Sequence, residues 1–585
     1  MTEKRDTMLE TSGASNQASS AGGDGVSNVP LGEQLRSFNR VFWIANTMEM
    51  LERLAYYGLR TVLPIYMVLS IANGGPEFDH IQKGWIYAWW ATMQSILPVF
   101  TGGYADRYGY KLTVAVAIVI KIIGYLVMAY AIDIAAILSG GASVGVPGDT
   151  TVFWVFMVGA LGLAMGTAIF KPGLQGILAL QLNKDNNSTG WSVFYQLVNL
   201  GGFLGPYLAG VMRLMDWKYV FISCAIIVSL NYIFLFIFPE PDKGVVKDDG
   251  FFKVFWDSAI SICEPRLMSF LVVFSGFWLM FNQLFDLLPN FIDDWVDSSM
   301  VLNAVVAPIM GLFGGAPPAE WGGMMPQEQL INLNAGMIML LAFAVGFVTG
   351  KFRSMNSMIF GILISAGAIF LLSTSMHGWI VVLAIAIFSI GEMIASPTKL
   401  RYFSAIAPPG KKGLYLGYIN ATVGIGWALG STIAGSLYQE GGDKVVLARR
   451  HLQEAYNLSA EAVTAIPKDD VVPLLMEKAA TDASGVRELL WATYNPGSVW
   501  VFFAGVGVLS MFGLIIYDQI TKRDLAAEPF ILLALTGAIA FATYGWFWAL
   551  VFVGLIGGYM AIEKFAPQLI PVTAPDEPEK ESKSA

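Results

Sequence analysis

Residues 49–60 read "EMLERLAYYGLR" and lie inside an apolar run from about 41 to 70, long enough to cross a membrane. Glu49, Glu52, Arg53 and Arg60 stand where lipid should be. On a helix turning 100° per residue, positions 49, 53, 56 and 60 are spaced i, i+4, i+7 and i+11. They share one face, with Glu52 and Tyr57 beside it. A charge at the bilayer centre costs roughly 3 kcal/mol on the insertion scale. Four facing lipid would cost on the order of 12 kcal/mol, as much as a whole protein's stability. The stripe must face a bundle interior or a wet cavity.

The composition points the same way. Of 585 residues, 55% are hydrophobic and 14% charged, against about 25% charged in soluble proteins. The chain is all-α and polytopic in the membrane, with lipid around it. The net charge of −9 says little about partners. Basic residues are scattered without interleaved aromatics, so no nucleic-acid partner is expected. Cys224 and Cys263 are the two cysteines, too few for a disulfide framework or a metal site, and no cofactor is expected. No nucleophile–base pair or phosphate loop is visible, and His80, His377 and His451 fall in loops or at span ends, so an enzyme is not expected.

Apolar segments fall near 41–70, 84–104, 112–133, 152–180, 191–214 and 218–238, then near 267–291, 329–350, 355–375, 378–405, 413–438 and 498–520. This predicts a disordered cytoplasmic tail over 1–40, a six-helix bundle over 41–239, a charged cytoplasmic linker over 240–265 and a second six-helix bundle over 266–520. An insert over 439–497 lies outside, where "KVVLARRHLQEAYNL" and "SGVRELLWATY" read as two amphipathic helices. The Gly- and Pro-rich stretch 311–326 is a turn-rich connector. Residues 521–562 contain about 34 largely apolar positions from 529 onward, with Gly545 near the middle. They read as one additional transmembrane helix, with a re-entrant pair as the alternative. Residues 563–585 form a second tail.

Lysine and arginine in the short loops set the orientation. With the N-terminus cytoplasmic, inside loops hold Arg107, Lys111, Lys184, Lys243, Lys247, Lys253, Arg266, Lys351, Arg353, Lys411, Lys412, Lys522 and Arg523, against Lys83, Arg213 and Lys218 outside. No cleaved signal peptide is expected, since no basic region with a short apolar stretch precedes the first span. The expected compartment is a cell membrane, the inner membrane of a bacterium.

Two six-helix halves around a central site resemble the major facilitator superfamily. "GGYADRYGYK" after the second span is similar to its G-x-x-x-D-R-x-G loop, through Gly102, Asp106, Arg107 and Gly109. Within the superfamily, "ExxERxxYYGxR" resembles the first-helix signature of the proton-dependent oligopeptide transporters. "FKPGLQG" (170–176), "FYQLVNLGGFLGPYLAG" (194–210), "INLNAG" (331–336) and "GEMIASP" (391–397) resemble that family's fourth, fifth, eighth and tenth helices. The resemblance implies a proton-coupled symporter of di- and tripeptides working by alternating access, the proton being the coupling ion.

The residues themselves fit a bipolar site. Lys171 is expected near Glu49, Glu52 and Arg53, where protonating a glutamate would free Lys171 or Arg53 to bind an anion. Arg53, Arg60 and Lys171 would hold a carboxylate. The resemblance assigns Glu392, followed by Ser396, to the peptide's amine. Asn199 and Asn334 either bond peptide backbone or join helices, and Tyr57, Tyr87 and Trp427 either line side-chain pockets or pack. Gly162/Gly166, Gly201/Gly205 and Gly426/Gly430 are close-packing pairs.

Two departures from the family pattern stand out. In "FWLMFNQLFDLL" the acid expected before Gln283 is Asn282, which cannot titrate, and Asp286 one turn later is the substitute. Ser95 stands three residues before Pro98, where relatives commonly present a tyrosine. These leave room for a different small zwitterionic or anionic cargo with altered coupling. The insert and the extra C-terminal segment raise a third possibility, a non-transporting membrane receptor or assembly subunit.

Overall fold

A computed structural model describes residues 30–183, 185–240, 256, 259–406, 412–523 and 525–570. Most of the linker and both tails, and the basic loop residues Lys184, Lys243, Lys247, Lys253 and Lys411, lie outside the described residues.

The chain is a succession of long helices. The first bundle contains α1 (Arg40–Val68), α2 (His80–Tyr108), α3 (Tyr110–Ala129), α4 (Thr150–Ala179), α5 (Asn187–Met215) and α6 (Trp217–Ile237). The second begins with α7 (Pro265–Asp286), α8 (Gln327–Thr349), α9 (Ser354–Leu371), α10 (Gly378–Ile406) and α11 (Lys412–Gly441). Among the described residues, nine helices are long and apolar enough to cross a membrane by length and composition. The charge-bearing α1 is not one of them. Buried apolar side chains form two cores, one from α1–α6 joined by Trp427, the other from residue 267 onward.

After α11 the insert folds as four helices where the sequence reading gave two: α12 (Lys444–Glu454), α13 (Ala460–Thr464), α14 (Lys468–Ala479) and α15 (Ala483–Tyr494). Of the two additional ones α13 has only 5 residues, and α14 contains Pro473, which blurs the apolar period. Leu447, Leu452, Val471, Leu475, Val486 and Leu490 close a small core. The insert sits at the distal end of the bundles, where α1 finishes, and it touches both of them. Asp469 accepts bonds from Ser70 (2.7 Å) and Asn73 (3.0 Å), and Lys468 bonds the Val68 carbonyl. Trp491 packs against Phe291 and Trp295 beyond α7.

The chain continues through α16 (Ser498–Thr521), α17 (Glu528–Tyr544) and α18 (Trp546–Phe565). Residues 528–565 are thus two helices, the paired alternative in place of the single span. Gly545 has φ +88°, a conformation that side chains with a β-carbon rarely adopt, and the chain reverses there. A β-carbon on Gly537 would come within 2.9 Å of Val553, so the helices pack back to back. Arg266 pairs with Glu528, and the Thr536 hydroxyl donates to Ser269 (2.8 Å). With this hairpin on one side, α7 is buried along nearly its whole length.

Candidate functional site

The charged face of α1 points into the first bundle. Arg53 Nε donates to Glu49 Oε1 at 2.7 Å and faces Glu52 Oε2 at 3.1 Å. The other Glu52 oxygen pairs with Lys121 of α3, a lysine the sequence reading passed over. Glu52 and Lys121 are fully buried, and Glu49 and Arg53 nearly so. Bare backbone makes the room. A β-carbon on Gly166 of α4 would collide with the Lys121 stem, and one on Gly201 or Gly205 of α5 would collide with α1 carbonyls. These glycines let α4 and α5 approach until the ion network is dry.

Lys171 of α4 lies within electrostatic reach of Arg53, Glu52, Glu49 and Lys121. Among the described residues it makes no hydrogen bond or ion pair. The second oxygen of Glu49 is likewise without a donor. Glu52 Oε2, which faces Arg53, also lacks a hydrogen-bond donor, so the network keeps open groups of both signs.

Arg60, two turns beyond Arg53, does not join this network. It pairs across the bundles with Asp286, the last residue of α7. Its guanidinium lies between the rings of Tyr87 (4.4 Å) and Trp427 (4.6 Å). Asp286 also accepts bonds from Trp427 Nε1 (2.9 Å) and Ser431 Oγ (2.8 Å). Lys83 donates to the Asp286 carbonyl (3.0 Å) and to Asn290 Oδ1 (2.5 Å). Arg60, expected to hold a substrate carboxylate, is thus paired with a carboxylate of the other bundle in this conformation. Lys83, expected in an outside loop, is buried in α2, and His80 bonds Asp443 at 3.0 Å between the bundles. Other bonds between the bundles, Arg213–Glu328 (2.9 Å) and Asn332 to the Phe203 carbonyl (2.8 Å), lie toward the same distal end.

In the second bundle Glu392 of α10 is half-buried and accepts one bond, from Asn334 of α8 (2.8 Å), whose amide also reaches Ser389 (3.0 Å). Ser396 stands one turn further on, half-buried. Tyr57 of α1 lies within electrostatic reach of both Arg53 and Glu392, and Tyr195 of α5 within reach of Glu392 and Tyr57. Tyr57 thus lies within reach of a charge from each bundle.

The remaining residues singled out are spread more widely. Asn199 bonds the Tyr195 carbonyl of its own helix (2.7 Å). Asn282 and Gln283 do likewise, to the Trp278 (2.8 Å) and Leu279 (2.9 Å) carbonyls. Ser95 is buried where α2 meets Gly424 of α11. The side chains of Gly102, Asp106 and Arg107 lie outside the described residues. Helix α2 runs on through that motif to Tyr108, and Gly109 breaks it at φ +107°. Lys121 and Lys399 were missed, although each is a lysine inside an apolar run.

The chain matches the Major Facilitator Superfamily over residues 47–325. It is 28% identical to the uncharacterized transporter YclF of Bacillus subtilis over 167 residues, 28% of this chain and 30% of that one. The multidrug resistance protein MdtH of Yersinia enterocolitica is 20% identical over 70% of this chain and 88% of its own. Dipeptide and tripeptide permease A of Serratia proteamaculans is 24% identical over 29% of this chain and 30% of its own. The matches to YclF and to the permease thus span under a third of those proteins. A crystal structure of a POT family transporter in complex with 5-aminolevulinic acid has a TM-score of 0.58 and 15% identity, over 83% of this chain and 100% of that one. The chain therefore matches a Major Facilitator Superfamily domain over residues 47–325, has the fold of POT family transporter structures, and is a multi-pass integral membrane protein.

Proposed function

We propose that the chain is a proton-coupled symporter of di- and tripeptides working by alternating access. The observation that carries the reading is Lys171, an ammonium without a hydrogen bond or ion pair among the described residues, beside the Glu49–Arg53–Glu52–Lys121 network, with Tyr57 in electrostatic reach of both Arg53 and Glu392. A peptide carboxylate would join Lys171 and Arg53, and its amine would join Glu392. Glu49, with one oxygen lacking a donor, is the proton acceptor of the network. Protonating it releases Arg53 from one of its two carboxylates, which raises the pull on an incoming anion. The likeness to a dipeptide and tripeptide permease supports the cargo.

Asp286 takes the second coupling role. It holds Arg60 across the bundles, so its protonation would loosen the distal closure, and a bound zwitterion would draw the inner ends together. A ligand that binds one arrangement better shifts the population toward it. In this reading the N-terminus is cytoplasmic, the membrane is a cell's inner membrane, and the bonded distal end faces outward.

The test is uptake into liposomes containing the purified protein. A dipeptide should accumulate when the lumen is alkaline and negative, and Glu49→Gln or Lys171→Ala should reduce accumulation at least tenfold. Undiminished uptake by both variants would remove the mechanism. A second reading keeps the transporter and changes the cargo to another small zwitterionic or anionic solute. It is favoured by Asn282 in place of the expected acid and by the longer match to a multidrug resistance protein. Thermal stabilisation by non-peptide solutes alone would select it.

A further inference from the structure

Lys399 of α10 belongs to neither charged network described above. It lies seven residues after Glu392 with Ser396 between them, so the three share a face of α10 and the ends are about 10.5 Å apart along the axis. Lys399 is 7% exposed. Its ammonium sits 3.7 Å from the centre of the Trp278 ring of α7 and makes no hydrogen bond or ion pair among the described residues. Trp278 is 8% exposed, and its indole N–H is buried without an acceptor.

A ring face offsets part of the cost of burying a cation, but it accepts no conventional hydrogen bond. A buried N–H without an acceptor keeps its desolvation penalty. Two donors of different kinds, from different helices, thus stand together and lack the same thing, an acceptor oxygen. An ammonium and an indole N–H offer nothing to an amine or a metal cation. The nearest acid, Glu392, is bonded by Asn334 instead.

The geometry points to an anion subsite made by Lys399 and Trp278 that takes a second carboxylate of the transported solute, next to the amine held by Glu392. The solute class it selects is a zwitterion with an additional acid beside its amine, such as a peptide whose first residue is acidic. This rests on the central site proposed above and adds to it a preference that the first bundle cannot supply.

Isothermal titration of the full-length purified protein tests it, with aspartyl-alanine, alanyl-alanine, succinate and inorganic phosphate as the probes. The wild type should bind aspartyl-alanine more tightly than alanyl-alanine. Lys399→Gln should reduce that affinity ratio at least tenfold and Trp278→Phe severalfold, while Lys399→Arg retains it. An unchanged ratio in Lys399→Gln overturns the proposal. If no dipeptide binds but succinate does, and loses at least tenfold in Lys399→Gln, the subsite stands and the peptide reading falls. If phosphate alone binds with that dependence, or if no probe depends on Lys399, the solute-carboxylate subsite is overturned. Melting temperatures of Lys399→Arg and Trp278→Phe near the wild-type value separate a binding defect from misfolding.

Discussion

Around Arg53, two carboxylates and two cations bind one another in a dry network built from α1 and α3. Around Glu392, on α10, one half-buried carboxylate has a single amide donor. The first arrangement satisfies most of its own charge and, among the described residues, leaves Lys171 and one oxygen each of Glu49 and Glu52 without a hydrogen bond. The second leaves its acid, and a lysine two turns away, largely unanswered. A closed network fixes helices, because removing one member strands another in low dielectric. An open group contributes little to packing and is free for a ligand. The two bundles therefore divide the work, rigid support with a few open ends on one side and receptive groups on the other.

That division can be broken by substitution. The largest effect is expected at the junction between the bundles, where Asp286→Ala leaves Arg60 buried and unpaired. Loss of one partner of a buried pair costs about 3–5 kcal/mol, to be read as a lowered melting temperature. The double variant Arg60→Leu/Asp286→Ala should recover part of it. Within the first bundle, Lys121→Met should cost about 3 kcal/mol, since Arg53 still faces Glu52. A change below about 1 kcal/mol would show that the network is not closed. Glu392→Gln should move stability by no more than about 1 kcal/mol, yet cut transport at least tenfold, and a stability loss matching that of Lys121→Met would erase the contrast. The smallest effect is expected at the insert. Asp469→Ala removes two partly exposed bonds and should cost less than about 1 kcal/mol, visible as faster hydrogen exchange in α14 and around Ser70.

Much of the first network was legible in α1 alone. The spacing of Glu49, Glu52, Arg53 and Arg60 declared a face that lipid could not cover, and Asp286 stood out as the acid replacing Asn282. What the helix period could not say was which charge answers which. Arg60 and Arg53 lie on one face, yet Arg60 is claimed by the other bundle, because α7 delivers Asp286 at that depth. Lys121 was read as one more residue of an apolar span, since nothing in its own neighbours announces a partner 69 positions earlier. The extra C-terminal helices were harder still. A 34-residue apolar run fits one span or two, and only the reversal at Gly545 decides.

The sequence by itself determined that this is a bundle of membrane helices, that one stripe of α1 must turn inward, and that acids and bases meet in the middle of the chain's apolar spans. Those conclusions follow from the transfer cost of charge and from helix periodicity, both local. The tertiary structure alone decided the pairings: Lys121 with Glu52, Asp286 with Arg60, and Lys399 beside Trp278 with no acceptor. Pairing depends on where helices distant in sequence come to rest, and a one-dimensional pattern carries no measure of that distance.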